Sequence, residues 1–95
     1  MTIKIKSLVG SFAENKDLAQ QIRLKTIMPA LHSNQPVILD FTSVEGTTQS
    51  FIHALISDPI REYGTQALEL ISFKNCNPVV QKIIVIVCDY MQQED

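Results

Sequence analysis

The stretch VILDFTSVEGTTQSF, Val37 to Phe51, decides how this chain is read. Val37, Ile38, Leu39 and Phe41 make a run that is apolar on both faces apart from Asp40, which is the pattern of a central, doubly covered strand. A hydroxyl-rich turn follows. Phe51, Ile52, Leu55 and Ile56 then recur at helical spacing. Strand, polar turn, helix is the repeating unit of a parallel α/β architecture.

Working outward, TIKIKSLV at the start alternates, with Ile3 and Ile5 facing one way and Lys4 and Lys6 the other. This predicts a strand with one wet face, ended by Gly10 and Ser11. From about Asn15 to His32 the pattern is helical, capped by Asn15 or Asp17. Leu18, Ala19, Ile22, Ile27, Ala30 and Leu31 form its apolar stripe, and Gln20, Arg23 and Lys25 face out. Pro29 removes a hydrogen bond and is expected to kink this helix or end it early. HSNQP reads as a turn.

Downstream, Pro59 either opens a further turn capped by Asp58 or kinks a helix that closes near Tyr63 and Gly64. ALELISF, 67–73, reads as a third strand. Asn77 followed by Pro78 is a helix start. The β-branched run after it is compatible with strand, but its length and the spacing of Val80, Ile83, Ile84, Val87 and Met91 predict a helix. On that helix Val79, Ile86 and Tyr90 form a second apolar stripe, which suits either deep burial or a self-association surface. The tail QQED is expected to fray.

The order is therefore β-α-β-α-β-α in a single domain, 1–95. Right-handed crossovers then predict three to four mainly parallel strands, with the helices mostly on one face if the strand order is sequential. The loops after the strands gather at one end, where ligands favour parallel sheets. Those loops carry Gly10-Ser11, then Gly46 to Ser50, then Asn75 to Asn77, all small and polar. Thr47 or Gly46 would cap the following helix, but capping alone does not require four polar residues in succession.

Composition excludes several classes. The net charge of −2, with scattered basic residues, argues against nucleic-acid binding. Cys76 and Cys88 form no CxxC and lie at no metal-ligand spacing from His32 or His53, so they read as reduced structural thiols and no metal site is expected. No signal peptide or membrane-length apolar run is present, and a cytoplasmic protein is expected. No phosphate-cradling glycine loop exists, and no cofactor is expected. Ser50 and His53 stand at i, i+3 spacing, but no third orienting group accompanies them, so no catalytic residue is assigned and the protein is not expected to be an enzyme.

The segment Val37–Leu55 resembles the central motif of STAS domains, the anti-sigma-factor antagonists. There a strand ending in LD(L/F) leads through xxV to DSSG at a helix start. Leu39-Asp40-Phe41 and Val44 match. Ser50 falls on the second serine, with Thr48 on the aspartate, Gln49 on the first serine and Phe51 on the glycine. The whole chain is similar to a STAS-like branch of unknown function that carries LPAL-like text early (here IMPAL) and a serine followed by phenylalanine. That branch often has an SR pair near the position of AEN here.

The resemblance implies a small STAS-like α/β sandwich and a non-enzymatic regulatory module. It implies partner binding through Thr47, Thr48, Gln49, Ser50 and Phe51, with Ser50 a regulatory phosphorylation site. The implied partner is an anti-sigma-type ATPase of histidine-kinase-like fold. Two other functions fit the residues themselves: a nucleotide or anion binder using the same loops, or a structural homo-oligomer, such as a homodimer, built on Val79, Ile86 and Tyr90.

Overall fold

The computed structural model describes residues 1–92. Its main sheet has three strands, β1 (Thr2–Lys4), β3 (Val37–Asp40) and β5 (Ile71–Lys74), in the order β1-β3-β5 and all parallel. Register places Ile3, Leu39 and Phe73 in one row and Lys4, Asp40 and Lys74 in the next. Alternation then divides the sheet. Ile3, Val37, Leu39 and Ile71 are buried beneath the helices, while Thr2, Lys4, Ser72 and Lys74 on the other face are exposed. This is the expected one-sided α/β arrangement, with β3 at the centre.

A second parallel pair, β2 (Phe12–Ala13) with β4 (Gly46–Thr47), lies beyond the ends of β1 and β3. Each partner is only two residues long, too short to leave a period in the sequence.

Two expected strands are shorter than their alternation suggested. The chain leaves β1 at Lys4 and turns into α1 (Ile5–Val9). Ser7 Oγ donates to the Lys4 carbonyl (2.7 Å), and Gly10 closes the turn at φ +89°, its N–H donating to Lys6 O (2.9 Å). The ALELISF segment also divides: α5 (Thr65–Leu70) takes its first part, and only Ile71 onward is strand. Ala, Leu and Glu are strong helix formers, and with Ala67 fully buried the local preference prevails.

The long N-terminal helical segment neither ends nor breaks at Pro29. It runs as α2 (Lys16–Ile22), a π turn (Arg23–Ile27) and α3 (Met28–His32). In the π turn the Met28 N–H reaches Arg23 O, five residues back. Pro29 has no N–H, and its ring would crowd the Lys25 carbonyl in a regular α-helix; the wider turn carries the chain past it. Asn15 is the cap, its Oδ1 accepting from the N–H groups of Asp17 (3.0 Å) and Leu18 (3.2 Å).

Two 15-residue helices complete the layer, α4 (Gln49–Tyr63) and α6 (Pro78–Gln92). Pro59 lies inside α4 and opens no new turn; the helix closes at Gly64, φ +60°, as expected. The ambiguous C-terminal segment is helical, with Asn77 Oδ1 accepting from the Val80 N–H (2.8 Å). Residues 93–95 of the tail lie outside the described residues. The core joins sheet and helices through Phe41, Phe51, Ile5, Ile27, Leu39, Ile52 and Leu55, all fully buried. Each contributes about 1.5–3 kcal/mol through burial. Among the described residues, no helix is long and apolar enough to cross a membrane.

Candidate functional site

The turn after β3 is built around Asp40. Its Oδ1 accepts from the Thr42 N–H (2.9 Å), the Thr42 hydroxyl (2.6 Å) and the Asn75 amide (3.0 Å). These hydrogen bonds, the Thr42 hydroxyl's first, hold the carboxyl at a pKa of about 2. Asp40 thus ties the loops after β3 and β5 together, the structural role its place at a strand end suggests. Asn77 continues the tie, its amide donating to Glu45 O (2.9 Å) and Val44 O (3.3 Å).

The residues from Thr47 to Phe51 divide sharply. Thr47 is buried, and its hydroxyl donates to Ala13 O (2.7 Å), so it locks the β2–β4 pair rather than capping α4. Thr48 is the cap, its Oγ1 accepting from the Phe51 N–H (3.1 Å). Phe51 is fully buried. Gln49 and Ser50 are exposed on the first turn of α4. The surface of this motif is therefore Gln49 and Ser50, with Thr48 half-buried between them and the core.

Gln49 and Ser50 open into a groove of about 530 Å³ between three helices. One wall is Lys16, Gln20 and Arg23. The floor is Ser50, His53, Ala54 and Ser57 of α4. The other wall is Ile86, Val87 and Tyr90 of α6. The expected serine edge and two residues of the expected apolar stripe thus meet in one concave surface. Val79, the third stripe residue, is 60% exposed and lies outside the groove. Among the described residues no hydrogen bond links Ser50 to His53.

Arg23 does not face out, as its helix position implied. The π turn begins at Arg23, and the guanidinium is held against α4: Nη1 donates to Ala54 O (3.2 Å) and lies 3.3 Å from Asp58 Oδ2. Its Nε is buried without an acceptor among the described residues. No local pattern announces this contact; only a charge match with a residue 35 positions away could have suggested it.

Cys76 and Cys88 are free and half-buried, and burial pushes both thiols up. Among the described residues no group of three or more His, Cys, Asp or Glu side chains is placed to hold a metal ion.

Residues 19–81 match the family described as a STAS-like domain of unknown function (DUF4325), over more than half of the chain. The chain belongs to this STAS-like family. The matched region contains β3, the Asp40 turn, the serine edge and all of α4. In this STAS-like domain the groove's α6 wall and Lys16 fall outside the matched segment. No curated protein and no solved structure matches the chain.

Proposed function

We propose that this STAS-like domain is a non-enzymatic regulatory module that binds a partner protein over the groove at Ser50. The observation that carries the reading is the exposure of Ser50 on the first turn of α4, at the mouth of a three-helix groove. By the resemblance to anti-sigma-factor antagonists, the partner is an ATPase of histidine-kinase-like fold, and phosphorylation of Ser50 is the switch. A phosphate adds a charge of about −1.5 to −2. At a helix N-terminus that charge leaves the helix intact, so its effect falls on whatever docks there.

The test is a photo-crosslinking residue at Gln49, activated in the cells that make the protein. A discrete protein adduct that disappears in the Ser50→Asp background supports the reading. No adduct, or one indifferent to Ser50→Asp, overturns it.

A second reading, a small-anion or nucleotide site, draws on Lys16 and His53 lining a groove within the size range of small-ligand pockets. A thermal-shift panel of phosphate and nucleotides decides it, since a shift lost in Lys16→Ala is required. A third, a homo-oligomer on the α6 face, draws on the exposure of Val79, Ile86 and Tyr90. Light scattering of Ile86→Lys decides that one, and an unchanged mass counts against it.

A further inference from the structure

We infer that the groove takes an acidic, amphipathic helical segment of the partner, its carboxylates toward Lys16 and its apolar side chains toward Ile86 and Tyr90. The inference rests on the protein-partner reading above and names the chemistry of the bound segment.

The two walls differ in kind. Lys16 is exposed and has no ion-pair partner among the described residues, whereas Arg23 is already engaged by Asp58 and fixes its wall in place. No Asp or Glu lines the groove, although the chain carries ten acidic residues against eight Lys and Arg. Lys16 therefore offers a partner to a carboxylate on the bound segment, and no lining carboxylate repels it. The opposite wall is the reverse. Ile86 is 40% and Tyr90 56% exposed, an aliphatic and aromatic surface that Leu, Ile, Phe or Met side chains can cover.

Length agrees as well. Lys16 and Arg23 are seven positions apart, as are Ser50 and Ser57, so the groove follows two helical turns, roughly 10 Å. A bound helix presents anchors at i, i+3, i+4 and i+7 over that span. Ser50 lines the same groove, so a phosphate on it would compete with the segment's carboxylates for Lys16 and repel them. This supplies a physical reason for release on phosphorylation.

The test is display selection of helical 16-residue peptides, randomised on one face, against the intact protein. Lys16 and Tyr90 are exposed, so Lys16→Glu and Tyr90→Ala are expected to fold normally, checked by circular dichroism. Expected is enrichment of Asp and Glu together with Leu, Ile, Phe or Met at helical spacing. Affinity of an enriched peptide should fall at least about 10-fold in Lys16→Glu and a few-fold in Tyr90→Ala. Enrichment of basic peptides, no enrichment, or binding indifferent to both variants overturns the inference. So does a wild-type dimer that Tyr90→Ala dissociates, which would put a second copy in the groove. If the peptide test fails while the Gln49 crosslink persists, only the acidic segment is lost; if both fail, the partner reading falls with it.

Discussion

Arg23 and Asp58 join the N-terminal helix to α4 across a distance of 3.3 Å, and the same guanidinium nitrogen also donates to the Ala54 carbonyl. The arginine side chain is 14% exposed and the aspartate 49%, so the two ends of the pair are not equivalent. Arg23→Ala removes a packed stem and the side-chain hydrogen bond that ties the N-terminal helix to the Ala54 carbonyl, and is expected to destabilise the fold by about 1–3 kcal/mol. Asp58→Asn is expected to cost at most about 1 kcal/mol, because its charge is solvent-screened. Urea denaturation followed by circular dichroism separates the two. Equal losses would mean that the ion pair, rather than the carbonyl bond and the stem, holds the helices together.

Ser50 is exposed, and its neighbour Phe51 is fully buried. Ser50→Ala is expected to leave stability within about 0.5 kcal/mol, whereas Phe51→Ala opens a cavity in the core worth about 3–5 kcal/mol. Partner capture should respond to Ser50 substitutions in fully folded protein. A Ser50→Ala variant that melts substantially earlier would mean that the hydroxyl serves the fold.

The caps at Thr48 and Asn77 provide a graded comparison. Thr48→Ala loses one cap bond and is expected to cost about 0.5–2 kcal/mol. Asn77→Ala loses its cap bond and also the amide bonds to Val44 and Glu45, so it should cost more. Asn77→Ser keeps a cap acceptor but not the amide donor, and its denaturation midpoint should lie between wild type and Asn77→Ala. A midpoint equal to wild type would show that the tether to Val44 and Glu45 contributes nothing.

Asp40 makes the fold sensitive to acid. Its pKa is lowered on folding from an ordinary 3.8 to about 2, so the unfolded chain binds the proton more readily. The stability this confers is complete above pH ~4 and is lost as the pH falls through about 2. Asp40→Asn should lower stability at neutral pH and flatten the loss between pH 4 and 2. Parallel denaturation curves at pH 6 and pH 3 measure both effects; an equally steep acid loss in the variant would place the sensitivity elsewhere.

Gly46 is required by close approach. A Cβ there would sit 2.6 Å from Phe12 Cε1, so Gly46→Ala must displace the half-exposed ring that covers the β2–β4 pair. A cost of about 1–3 kcal/mol is expected, with partial recovery in the Gly46→Ala/Phe12→Ala double variant. An additive loss in the double variant would rule out the ring as the obstacle.

Much of this fold was legible because burial is periodic. The run at Val37 marked the central strand, and the spacing of Phe51, Ile52, Leu55 and Ile56 marked α4. Given a sequential order of parallel strands, the placement of the helices on one face followed from crossover chirality. Alternation misled where it was short: Ile5 is buried from a helix rather than a strand, and the same holds for Ala67. The site was half legible. Chain-local chemistry identified the cap at Asn77, whereas Ser50 was singled out by the resemblance to the STAS motif. Burial of Phe51 and Thr47, and the turning of Arg23 onto α4, arise from contacts between distant elements that leave no local period. The groove itself, which unites Ser50 with Ile86 and Tyr90, exists only once α4 and α6 are placed side by side.

The row Lys4, Asp40, Lys74 has a further consequence. The main sheet ends on both sides in a strand of three or four residues, β1 and β5, and each edge strand finishes on a lysine. An edge is a template for the strand of another molecule, and brevity together with an ammonium group discourages such pairing. Aspartate on the central strand compensates the two charges within one molecule, but sheets brought edge to edge would have to accommodate lysines from both. The sheet is thereby guarded against growth by the addition of strands from other molecules.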